Sequence, residues 1–99
     1  MKILIICLLF LVGFNAYASE KLSKCDEYYD VGHAIMNMRQ NGMPITKIMN
    51  RIGESPESKN PIVEMVKLAY NSPVFETKEA KEKAAVEFGN QMYLICSKL

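Results

Sequence analysis

Three sets of residues in this chain could do chemistry on their own account. They are one histidine, His33, with Asp30 one helical turn before it and Asn37 one turn after; three cysteines; and an arginine, Arg39, standing where a helical apolar stripe calls for methionine or leucine. Asp30 and His33 share a flank, so an acid–base dyad or a pair of metal ligands can be drawn there. Any helix with several polar residues produces such pairs, and a packed or solvated histidine accounts for it equally well. A small hydrolase or metal protein using Asp30 and His33 is therefore the last of the readings considered. No Gly-rich phosphate loop, His-Glu-x-x-His or paired carboxylates accompany it. No catalytic residue, cofactor or metal is expected.

The cysteines divide by position. Residues 1–18, MKILIICLLFLVGFNAYA, combine Lys2, an apolar run from Ile3 to Phe14 and the small-residue pattern Ala16-Tyr17-Ala18, which is the pattern of a secretory signal peptide cut after Ala18. The run is about twelve residues, and a spanning helix needs roughly twenty, so no lasting membrane anchor is expected. Cys7 leaves with the leader. Cys25 and Cys96 remain in a chain sent to an oxidising compartment, periplasmic or secreted, and are expected to pair. They lack the Cys-x-x-Cys spacing of a redox or metal site, so the pair reads as structural. Closing a loop of about 72 residues contributes roughly 4 kcal/mol in the chain-entropy treatment, a large share for so small a domain.

Removing Lys2 with the leader leaves eleven cations, twelve less one, against eleven anions. A chain of about zero charge with both signs interspersed offers no footprint for nucleic acid or an anionic membrane.

The elements that must position these residues follow from periodicity. Leu22, Cys25, Tyr28, Tyr29, Gly32, Ile35 and Met36 form a helical stripe that Asn41-Gly42 stops. Pro44 opens a short second helix through Ile45, Ile48, Met49 and Ile52, stopped by Gly53; Glu54 to Lys59 reads as a surface loop. Asn60-Pro61 caps a third helix carrying Ile62, Met65, Val66, Ala69 and Tyr70, and Asn71-Ser72-Pro73 ends it. Thr77 caps the longest helix, whose stripe is Ala80, Ala84, Ala85, Phe88, Met92, Ile95, Cys96 and Leu99. Its small residues come early and its large ones late, which suggests a helix close to its neighbour at the start and diverging at the end. The expectation is an all-α fold, a four-helix domain over 19–99 closed by Cys25–Cys96, with a methionine-rich core.

Arg39 lies in the last turn of the first helix, within the stripe. It suits an architectural clamp, either capping its own helix end or reaching Glu87 or Gln91 on the last helix; partner recognition is the alternative. Val86, Tyr93 and Leu94, off the main stripe of the last helix, and Tyr28 on the first form a candidate partner surface. The competing view has Tyr70, Val74 and Phe75 covering both flanks of the last helix.

Cys25, Ala34-Ile35-Met36, Arg39-Gln40-x-Gly42 with Pro44, Ala69-Tyr70-x-x-Pro73 and Glu87-Phe88-x-Asn90-x-x-Tyr93-x-x-Cys96 together resemble small exported proteins of unknown function from bacteriophages and proteobacteria. The resemblance implies a periplasmic or secreted all-helical protein and brings no activity. Periplasmic acid-stress chaperones and small phage-encoded inhibitors of cell-wall lysozyme are similar in size and framework only. The function expected is a non-enzymatic interaction module for another exported protein, with a stress chaperone or an inhibitor of a cell-wall enzyme as alternatives. Partner and oligomeric state are left open by the sequence.

Overall fold

The computed structural model describes residues 24–99. The leader expected over 1–18, with Cys7, and Leu22 of the expected first stripe lie outside these residues. Among the described residues the chain forms four helices and no strand: α1 over 24–40, α2 Ile45–Ile52, α3 Pro61–Tyr70 and α4 Lys78–Ser97.

The boundaries have local causes. Gly42 and Gly53 take φ of 82° and 74°, the left-handed conformation in which a side chain would be strained, and end α1 and α2. Asn60 accepts from the Ile62 N–H at 2.9 Å with Pro61 at the first helical position, and Thr77 accepts from the Ala80 N–H at 3.1 Å. Pro44 differs from expectation by one place, standing at the N-cap of α2 with extended backbone rather than inside its first turn.

Ile35, Met36, Ile48, Met65, Val66, Ala69, Ala85, Phe88 and Met92 make one core drawn from all four helices. Cys25 and Cys96 are bonded across α1 and α4, their Cα atoms 5.4 Å apart, and both are buried. A Cβ built on Gly32 would stand 2.6 Å from Met92 Cγ, and one on Gly89 would stand 2.8 Å from the Tyr29 ring and 3.1 Å from the Tyr29 carbonyl oxygen. The two glycines therefore let α1 and α4 approach more closely than any side chain permits.

This corrects the expected taper. The close contact of α4 lies in its second half, at Gly89 and Cys96, and the helix does not diverge from α1 at its end. Large residues late in α4 turn outward instead: Ile95 is 45% exposed and Leu99 83%.

Candidate functional site

Two adjacent side chains at the end of α1 hold the connector between α3 and α4. Arg39 donates from Nε and Nη2 to the Ser72 carbonyl at 3.2 and 3.1 Å, and its guanidinium lies 5.0 Å from the centroid of the Tyr70 ring. Tyr70 in turn donates its hydroxyl to the Met43 carbonyl, just past the turn that ends α1. Gln40, 1% exposed, is the buried polar residue of the core; it donates to the Pro73 carbonyl and accepts from the Phe75 N–H, both at 2.9 Å. A side-chain amide has one acceptor and one donor end, and this connector uses both, as a neighbouring backbone would.

Arg39 is thus placed differently from either partner that the sequence suggested. It does not meet its own helix's last carbonyls, nor Glu87 or Gln91. Its acceptor is the carbonyl just beyond α3, where the partial negative charge of a helix end favours a cation. Glu87 lies 3.9 Å from Lys83 in an exposed pair of little energetic weight, and Gln91 is exposed. Burial holds the Tyr70 hydroxyl above its ordinary pKa, and the nearby Arg39 charge opposes that rise.

His33 is half-buried and stacks on Tyr29, with ring centroids 5.9 Å apart. Asp30 and Asn37 are exposed beside it. Among the described residues no three His, Cys, Asp or Glu side chains converge.

A groove runs along α3, facing α1 at one end and α4 at the other. Three adjoining hollows of about 230, 290 and 390 Å³ share walls: the first and second share Tyr28, Pro61 and Met65, and the second and third share Leu68, Met92 and Ile95. The lining is mainly apolar. Met65 and Met92 form the buried floor, while Leu68 at 45% and Ile95 at 45% stand exposed on the two rims. Along α3 the groove follows the ten residues Pro61–Tyr70, about 15 Å or three helical turns. Lys59, Glu64, Gln91 and Lys98 edge it.

The four residues of the expected partner surface are divided by this geometry. Tyr28 and Leu94 border the groove. Val86, 43% exposed, and half-buried Tyr93 stand on the opposite flank of α4 by helical spacing. Val74 and Phe75 are themselves exposed and do not cover α4 on both sides. Ile95 belonged to the apolar stripe expected for the last helix, and Leu68 lay outside the stripe expected for the third; neither was read as a partner surface. The available signal was an apolar residue too many: Phe88, Met92, Ile95 and Cys96 in α4, with Leu99 just past its end, fall within about three turns, more than one helix face can bury.

No helix among the described residues is long and apolar enough to cross a membrane. Compared with protein-family profiles, curated proteins and solved structures, the chain has no match in any of the three.

Proposed function

We propose that the protein is a non-enzymatic, exported interaction module, and that its groove along α3 takes an apolar segment of another exported protein. The observation that carries this reading is the groove's continuous apolar lining, with Leu68 and Ile95 exposed above a floor of Met65 and Met92. Apolar residues concentrated in a concave, polar-edged surface mark interaction sites more often than scattered ones do. Thioether floors adapt to differently shaped side chains, which suits the recognition of a segment rather than a rigid small molecule. Three turns of length match an amphipathic helix laid into a groove through residues at i, i+3 or i+4 and i+7.

An oxidising compartment is supported by the Cys25–Cys96 bond and by the leader pattern of residues 1–18. The resemblance to small exported phage and proteobacterial proteins agrees with that location.

A photo-crosslinking amino acid at position 68 tests the reading in the exported protein. The expected result is capture of one discrete exported partner from position 68 and none from position 86, on the far flank of α4. Equal capture from both positions, or none from position 68, overturns it.

A further inference from the structure

The outward stripe of α4, which forms one edge of the groove through Gln91, Leu94 and Lys98, carries a charge pattern of its own. Glu87, Gln91, Leu94 and Lys98 follow one another at spacings of four, three and four, so they line up on one face of the helix. All four are exposed, Leu94 at 56%, and Ile95 and Leu68 adjoin them on the groove side. The stripe is acidic at one end and basic at the other, with Gln91 and Leu94 between. Glu87 meets only Lys83, in an exposed pair at 3.9 Å on its own helix, and no ion pair of Lys98 occurs among the described residues.

We infer that this stripe pairs with the same stripe of a second copy, the two α4 helices running antiparallel about a two-fold axis. The direction follows from charge. In a parallel pair Glu87 would face Glu87 and Lys98 would face Lys98, and both contacts repel. In the antiparallel pair Glu87 of each copy faces Lys98 of the other, twice by symmetry, and Gln91 faces Leu94 beside the axis. Leu94 of each copy then packs next to Ile95 and Leu68, removing from water the most exposed apolar side chains of α4 before its terminal Leu99. The contact spans about three turns per copy, which puts it at the small end of specific interfaces and makes a concentration-dependent dimer. The hollow around Tyr28, Pro61 and Ile62 remains open in this arrangement, whereas the hollow bordered by Leu68, Gln91, Leu94 and Ile95 is covered, so at that end of the groove a second copy and a segment of another protein exclude one another.

Analytical ultracentrifugation of the oxidised protein over a wide concentration range tests it. The parent is expected to dimerise reversibly. Glu87→Lys alone and Lys98→Glu alone each convert two attractive contacts to repulsive ones and weaken dimerisation about ten-fold, and the double reversal restores it. Leu94→Asp abolishes it. All these positions are exposed, so circular dichroism and the urea midpoint serve only to confirm that folding is unchanged. A monomer at every concentration, a double reversal no better than the single ones, or a Leu94→Asp protein that still dimerises overturns the pairing. A monomer that captures a different exported protein through position 68 refutes the pairing and leaves the groove reading standing; a dimer whose position 68 captures only a second copy of this chain does the reverse.

Discussion

Replacing Gln40 with leucine tests the clamp at the end of α1. Leucine keeps the volume and the apolar contacts of the side chain but removes both ends of the amide, so the Pro73 carbonyl and the Phe75 N–H lose their partners. Each orphaned backbone group costs about 1–3 kcal/mol when fully buried. Pro73 and Phe75 are exposed residues, so water recovers part of this and the lower half of the range applies to each. The expected loss is about 2–4 kcal/mol, set against a total stability of roughly 5–10 kcal/mol for a domain of this size. With a urea slope near 1 kcal/mol/M, the midpoint falls by about 2–4 M. Urea titration of the oxidised protein followed by circular dichroism measures it. Arg39 grips the carbonyl next to the one that Gln40 grips, so Arg39→Met is expected to cost about 1–2 kcal/mol, and the double substitution less than the sum, because the connector can come loose only once. A Gln40→Leu loss below about 0.5 kcal/mol, or strictly additive effects, would refute the reasoning that these two residues act as one clamp.

Three further outcomes follow from the same contacts. Gly89→Ala and Gly32→Ala each gain about 1 kcal/mol of helix propensity but set a methyl group against the Tyr29 ring and carbonyl in the first case and against Cγ and Cβ at the root of the Met92 side chain in the second, for a net loss of about 1–2 kcal/mol each that thermal unfolding can check. Since the folded state raises the Tyr70 pKa, the stability it confers is complete below the ordinary tyrosine value near 10 and declines as pH rises through the folded value; urea midpoints across the alkaline range should show that decline in the parent and a shallower one in Tyr70→Phe. Cys25→Ser combined with Cys96→Ser should cost about 2–4 kcal/mol, read as a lower urea midpoint that added reductant leaves unchanged.

Helix boundaries were legible because they depend on local chemistry. Asn60-Pro61 and Thr77 declare helix starts by what their side chains bond, and Gly42 and Gly53 declare stops by the backbone conformation that follows. The cysteine pairing was legible because, without the leader, two thiols have one intramolecular solution. What remained hidden depends on which helix faces which. Gly89 reads in a sequence as a weak spot in α4, and becomes the crossing point with α1 only once Gly32 and Tyr29 are opposite it. Gln40 reads as a polar residue past the stripe, although its place one turn after Met36 puts it on the buried face. The partners of Arg39 and Gln40 are backbone atoms of residues 72, 73 and 75, and a carbonyl acceptor leaves no mark on residue type, which is why Glu87 and Gln91 seemed the natural partners. The groove was half legible: Tyr28 and Leu94 were singled out, whereas Ile95 was assigned to the interior by a stripe wider than the neighbouring helices can cover, and Leu68, outside the stripe of α3, was given no role.

The most direct test of the groove as the working surface compares two tagged, oxidised variants for retention of an exported partner: Leu68→Asp on the groove rim and Val86→Asp on the opposite flank of α4, two side chains of nearly equal exposure at 45% and 43%. Loss of the partner with Leu68→Asp and full retention with Val86→Asp is the expected result. Retention by Leu68→Asp at the parental level would contradict it.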